Sequence, residues 1–326
     1  MLKKLVLLML GLAISLSACS SPQVTQEADT LTHIRLPLGY IPNIQFAPLY
    51  VAIEKGYFKD AGIEVEFDYS FETDGVKLVG AGELPFAVVS GEQVLLARAQ
   101  GVPVKYIAAW YQQYPISVVA KSVAGITSPQ DLKGRRIGLP GLFGANYVGL
   151  QALLFSAGLS ESDVQLESVG FNQVEVLATD QQEVVVGYAA NEPIQLRAQG
   201  FDVTELRVAD YVQLASNGIL ASEKVIAEDP QLVNAFVEAF LKGLKFTIEN
   251  PDEAYAMSET YIPNFADLDQ AVQKEILATS IEMWKADRLG YSDPQAWENM
   301  NDTLVQMKLL HEPLDLSKAF TNEFIP

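Results

Sequence analysis

Up to Gly200 the chain alternates between strand-like and helix-like patterns, and that alternation leaves few folds open. Residues 34–38 read as a short strand and 48–56 as a helix closed by glycine. Residues 63–67 read as a strand, 74–80 as a helix, 86–89 as a buried strand, 93–100 as a helix and 105–110 as a strand. A βαβαβαβ series of this kind predicts a mostly parallel sheet with helices on both faces. A second series follows Tyr114-Pro115, with strands at 116–120, 136–139, 164–169 and 184–188. Between them lie a short capped turn at 128–132 and helices at 146–157, 172–179 and 192–198. From about Gly218 onward the pattern changes to long helices, at 230–250, 251–261, 268–284 and 294–310.

Two α/β units with a helical C-terminal tail fit a two-lobed α/β fold in which the second lobe is inserted in the first. The crossings then fall near 112–115 and 212–218. The expected segments are 33–113 for the first part of lobe 1, 114–216 for lobe 2, and 217–326 for the helical remainder of lobe 1. Pattern alone also admits two consecutive, uninserted domains.

The first residues carry a different signal. Met1-Leu2-Lys3-Lys4 precedes an apolar run of about a dozen residues, too short for a spanning helix, which needs ~20. The run exits through Leu16-Ser17-Ala18-Cys19, which resembles a bacterial lipobox. On that reading 1–18 is a lipoprotein signal peptide, Cys19 is acylated, and 19–32 is a flexible tether that holds the protein outside the cytoplasm on the cell membrane. An ordinary cleaved signal with an incidental cysteine is the alternative. Cys19 is the single cysteine of the chain, so no intrachain disulfide can form. The remaining length still exceeds the usual single-core size.

Charge excludes one class of partner. The 22 Lys and Arg stand against 41 Asp and Glu, a formal −19 that becomes more acidic once Lys3 and Lys4 are removed. Nucleic-acid binders are basic, so nucleic acid is not an expected partner. The chain is expected to act as a monomer.

In open α/β sheets ligands sit beyond the carboxyl ends of the strands. That rule selects four segments: 39–46, 90–93, 140–147 and 188–193. They offer Tyr40, Asn43, Phe46, Ser90, Glu92, Asn146, Tyr188, Asn191 and Glu192 as candidate ligand-binding residues, and they contain no Lys or Arg. A site for nitrate, sulfonate or phosphate would normally recruit a guanidinium or ammonium group, although helix N-termini can bind anions unaided. Aromatic faces with amide and carboxylate edges suit a flat, neutral, nitrogen-rich ring. Plainer roles exist for several of these residues. Asn43 follows Pro42 and can set a turn; Asn146 can cap a helix; Glu192 can favour a helix dipole. Trp110, Tyr111 and Tyr114 flank the first crossing, where they could face the cleft or pack in the core.

Catalysis finds little material. His33 adjoins the tether and His311 lies near the C-terminus, so neither falls on a cleft segment. There is no GxSxG elbow, P-loop or dinucleotide-binding GxGxxG, and no metal-ligand spacing. No cofactor is expected.

The run Leu-Gly-Tyr-Ile-Pro-Asn-Ile-Gln-Phe-Ala-Pro-Leu-Tyr-Val-Ala at 38–52, continuing Glu54-Lys55-Gly56-Tyr57-Phe58, resembles the thiamine-pyrimidine-precursor-binding and related solute-binding proteins. That family includes nitrate and alkanesulfonate binders. Further matches are Ala-Gln-Gly-Val-Pro-Val at 99–104, Asp-Leu-Lys-Gly at 131–134 and Arg-Ile-Gly at 136–138. The resemblance implies a type II periplasmic-binding-protein fold with a hinge and a ligand between two lobes. It also implies a partnership with the permease and ATPase subunits of an ABC importer. Pyrimidine-precursor binders tend to show Asp-Trp-x-Pro-Asn-x-x-His at the first motif; here Tyr40 stands for Trp and Phe46 for His. The form found here looks like the riboflavin-binding branch, which makes riboflavin the expected ligand. A hydroxymethyl- or formylamino-pyrimidine is the alternative, with nitrate or alkanesulfonate binding behind it. Some eukaryotic relatives are pyrimidine-synthesising enzymes with a cysteine-rich motif and a histidine, and neither feature is present in this chain.

Overall fold

A computed structural model describes residues 31–326. The signal segment 1–18, Cys19 and nearly all of the tether lie outside the described residues. The tether's last position, Thr32, is already in a strand.

The first α/β series forms β1 (Thr32–Gly39), α1 (Ala47–Glu54), the one-turn α2 (Tyr57–Asp60), β2 (Ile63–Phe71), α3 (Glu72–Gly80), β3 (Phe86–Val89), α4 (Gly91–Ala99) and β4 (Val104–Ala109). β1 pairs with β2 in parallel and packs along β3. The second series forms β5 (Ile116–Lys121), β6 (Arg136–Leu139), α5 (Gly144–Ser156), β7 (Gln165–Ser168), α6 (Gln173–Ala178), β8 (Val184–Tyr188), α7 (Glu192–Ala198) and β9 (Val203–Arg207). These strands make one five-stranded sheet in the order β7-β6-β8-β5-β9. The chain then returns as β10 (Gly218–Ser222), which sits between β3 and β4 in the first lobe's sheet. That return makes the second lobe an insertion in the first.

Apolar continuity explains the central strands. Phe86-Ala87-Val88-Val89 is buried throughout, as a strand covered on both faces must be. Val184-Val185-Val186-Gly187 behaves alike in the second lobe. The tail comprises α8 (Glu223–Glu228), α9 (Pro230–Glu249), α10 (Pro251–Ser258), α11 (Gln270–Trp284) and α12 (Pro294–Gln306). Proline opens α9, α10 and α12, where its missing N–H costs nothing and its φ suits the first turn. Asp229 and Asp293 cap α9 and α12 by accepting from the N–H groups of Leu232 and Gln295. α9 and α10 pack on α1, and α12 packs on α4, so the tail completes the first lobe.

One sequence-based expectation fails in detail. Only the two-stranded β1–β2 sheet is wholly parallel: in the three-stranded sheet β10 runs antiparallel to β3 and β4, and in the five-stranded sheet β5 runs antiparallel to β8 and β9. The reason is topological. β5 and β10 are the strands that enter from the opposite lobe, so each starts at the cleft edge where its neighbours end. Ile116 pairs with Tyr188, and Gly218 pairs with Val89 and Ala109.

Candidate ligand-binding site

Strand ends from both lobes meet at a cleft of about 940 Å³, open solvent at its mouth included. The β1–α1 junction contributes Tyr40, Gln45 and Phe46; the β2–α3 junction, Phe71, Glu72 and Thr73; and the chain beyond β4, Trp110 and Tyr111. From the second lobe come Gly141, Phe143 and Asn146 after β6, Phe171 and Gln173 after β7, and Tyr188, Asn191 and Glu192 after β8. Asn217, immediately before β10, joins them. Among the described residues no Lys, Arg or His lines the cleft.

Aromatic rings close the mouth across the two lobes. Tyr40 meets Phe171 edge-on at 4.8 Å between centroids, and Phe71 stacks on Phe171 at 5.7 Å. Phe71 also meets Phe143 at 6.0 Å, and both of these rings are about half exposed, at 47% and 51%. Asn191 Nδ2 donates to Tyr40 Oη at 3.4 Å, a polar link between the same two rims. Deeper in the first lobe, Phe46 packs against Trp110 at 6.1 Å and Tyr50 at 6.4 Å. Trp110 Nε1 and Asn146 Oδ1 are buried without a hydrogen-bond partner among the described residues. An unpaired buried donor on the first lobe's wall and an unpaired acceptor on the second lobe's wall are groups that a ligand's polar edges would satisfy.

The carboxylates are the unusual part. Glu192 folds back on its own helix start, accepting from the N–H of Tyr188 at 2.6 Å and from Asn191 Nδ2 at 2.9 Å. Gly187 makes the room: a Cβ there would stand 2.4 Å from Glu192 Oε2. On the facing lobe Glu72 accepts from the Ser90 N–H at 3.1 Å and from Asn217 Nδ2 at 3.1 Å. Ser90 Oγ lies 2.5 Å from Glu72 Oε2 and is also hydrogen-bonded to Glu92 Oε1. Burial pushes the carboxyls of Glu72 and Glu192 above the ordinary range, with these hydrogen bonds opposing it. Burial, reinforced by the charge of Glu72, pushes Glu92 up to about 8. Tyr40 is raised by burial and by Glu192 beside it, so its phenol stays protonated.

Of the residues singled out from sequence, Tyr40, Phe46, Asn146, Tyr188, Asn191 and Glu192 line the cleft. Asn43, Ser90 and Glu92 do not. Asn43 Oδ1 accepts from the Gln45 N–H at 2.9 Å and caps the turn Ile44–Phe46. Ser90 and Glu92 are fully buried beneath the floor formed by Glu72. Asn146 stands inside α5, whose N-cap is Phe143, so it does not cap that helix. Glu72, Phe71, Phe171 and Asn217 were not singled out. Ending the second strand at Phe67 hid the Phe71-Glu72 junction, although it belongs to the same class as the four segments selected.

Residues 43–254 match the family described as NMT1/THI5 like. The chain belongs to this family. Among its relatives, the riboflavin-binding protein RibY of Chloroflexus aurantiacus is 43% identical over 99% of this chain and 98% of its own. A formylaminopyrimidine-binding protein of Halalkalibacterium halodurans is 28% identical over 98% of this chain and 99% of its own. A Legionella pneumophila relative, 23% identical over 90% of this chain and 93% of its own, is a 4-amino-5-hydroxymethyl-2-methylpyrimidine phosphate synthase. The crystal structure of the periplasmic aliphatic sulphonate binding protein SsuA of Escherichia coli superposes with a TM-score of 0.71 at 12% identity, covering 89% of this chain and 92% of that one. At that identity the likeness shows the fold, and this NMT1/THI5-like chain has the two-lobed periplasmic-binding-protein architecture. Among the described residues no helix is long and apolar enough to cross a membrane.

Proposed function

We propose that this protein is the solute-binding component of an ABC importer and that it captures riboflavin between its lobes. The observation that carries the reading is the cleft lining: aromatic faces, amides and carboxylates, with no cationic side chain among them. A neutral tricyclic ring offers π faces to such walls, and its N–H and C=O edge matches carboxylates, amides and the indole N–H. The 43%-identical relative, a riboflavin-binding protein, supports the same ligand. Binding without conversion fits a cavity that neither His33 nor His311 lines.

Ligand bridging Tyr40 and Phe46 of one lobe to Asn146 and Glu192 of the other would stabilise the closed form. The crossings at 112–115 and 212–218 would serve as the hinge that divides 33–113 and 217–326 from 114–216. Acylated Cys19 would hold the protein on the outer face of the membrane, and the closed lobes would dock on the permease.

Titration of riboflavin with the purified protein, followed by flavin fluorescence, tests the reading. Quenching should saturate at one ligand per chain and resist excess hydroxymethyl- or formylamino-pyrimidine. The second reading, a pyrimidine precursor as ligand, is favoured by the 28%-identical relative. It takes first place if quenching is absent while calorimetry with the pyrimidines shows heat. Competition by sulfonates or nitrate would instead point to an anion carrier, against the cation-free lining.

A further inference from the structure

We infer that Glu72 is the first lobe's ligand-facing hydrogen-bond acceptor, and that Ser90 and Glu92 are positioning residues that keep it ionised by holding one shared proton. The inference rests on the binding reading above for its ligand, a neutral heterocycle with an N–H flanked by carbonyls.

The argument is one of proton counting. A serine hydroxyl has a single proton to donate. Ser90 Oγ nonetheless makes hydrogen bonds to two carboxyl groups, Glu72 Oε2 and Glu92 Oε1. One of the two carboxyls must therefore carry its own proton and donate it to Ser90 Oγ. The surrounding donors decide which. Glu72 receives the N–H of Ser90 and the amide of Asn217, the environment of an anion. Apart from Ser90, Glu92 is approached only by its own backbone N–H and by Gln93 Nε2 at a long 3.4 Å from Oε1, and among the described residues its Oε2 has no partner. Buried, with one oxygen unpartnered and the poorer set of donors, Glu92 is the neutral acid.

The chain Glu92–Ser90–Glu72–Asn217 continues to Tyr188, whose Oη donates to Asn217 Oδ1 at 3.3 Å. It thus runs from beneath the first lobe's floor, past the start of the returning strand, to the second lobe. The titratable groups facing the pair are Tyr106 of β4, Tyr114 ahead of β5 and Tyr188 at the end of β8, all held neutral by burial. No Lys, Arg or His is paired with either glutamate among the described residues. Loss of the Glu92 proton would put two anions on one hydroxyl and pull Ser90 away from Glu72, so ligand affinity should fall on the alkaline side.

The test compares wild type, Glu92→Gln and Glu72→Gln by riboflavin titration from about pH 6 to about pH 9.5. Glu92→Gln replaces the acid O–H by an amide N–H that cannot titrate. Its affinity should stay flat from neutral to alkaline pH, over the range where that of wild type weakens by about tenfold. Glu72→Gln should bind about tenfold more weakly across the whole range. A ligand-free readout separates this inference from the identity of the ligand. The infrared carbonyl band of a protonated carboxylic acid should be present in wild type at neutral pH and absent from Glu92→Gln. Should Glu92→Gln not fold, Ser90→Ala breaks the same bridge and should weaken neutral-pH binding by about tenfold. A flat wild-type profile, an alkaline loss shared by Glu92→Gln, or a missing acid band would overturn the shared proton. Failure of riboflavin to bind with the acid band present would overturn only the choice of ligand, and the pyrimidines would then serve as probe.

Discussion

Gly39 carries φ +80°, and a Cβ there would stand 2.5 Å from Glu72 Cγ. Backbone freedom and close approach coincide at the position that turns the chain over the carboxylate and delivers Tyr40 to the cleft. Gly39→Ala should destabilise the fold by about 1–2 kcal/mol from the left-handed conformation alone, measured by urea unfolding. Its riboflavin affinity should fall as Glu72 is displaced. Tyr40 makes two separable contributions. Tyr40→Phe keeps the edge contact with Phe171 but loses the Asn191 bond, about 1 kcal/mol or a roughly fivefold weaker Kd. Tyr40→Ala removes the ring as well and should weaken binding by tenfold or more. Equal affinities for wild type and Tyr40→Ala would take Tyr40 out of the site.

At the scale of elements, the strand-end rule selected the right kind of place and selected too few of them. Every strand-to-helix junction on the cleft edge supplies lining side chains, including the two after β2 and β7 that the residue pattern left unmarked. β2 runs on through Asp68-Tyr69-Ser70-Phe71 because its pairing with β1 extends that far, and nothing in the local hydropathy of those residues announces it. Asn43 shows the opposite case. Its side chain ends in the turn that it caps, so Asn43→Ala should cost about 1 kcal/mol of stability through the lost cap. The urea midpoint should register that loss, while riboflavin affinity stays near that of wild type.

For the whole molecule, stability and closure share the buried carboxyls. Glu92 has its ordinary pKa when unfolded and about 8 when folded, so the folded state holds the extra proton between those values. Its stabilising contribution is complete below the ordinary carboxylate range and is lost as pH rises to about 8. Glu72 and Glu192, also raised, act in the same direction. Ligand-free wild type should thus lose stability from mildly acidic to mildly alkaline pH, and Glu92→Gln should show a flatter slope in thermal unfolding. Saturating ligand at a hundred times Kd should add about 2.7 kcal/mol by mass action. Scattering curves recorded with and without ligand should differ if the aromatic rims part in the free protein. Identical curves would count against hinge closure.

The residues by themselves determined the alternation of elements, the helical tail and the poverty of cations at the strand ends. Each of these follows from local periodicity and composition, which a chain carries before it folds. Tertiary structure decided the direction of the two crossing strands, because direction depends on which lobe a strand enters from. It also decided which junction residues reach the cleft, which cap a turn and which lie beneath the floor. Glu72 and Ser90 are 18 residues apart, and Asn217 lies 145 residues from Glu72. Only packing brings those three to one carboxylate, and no local pattern encodes a meeting at that separation.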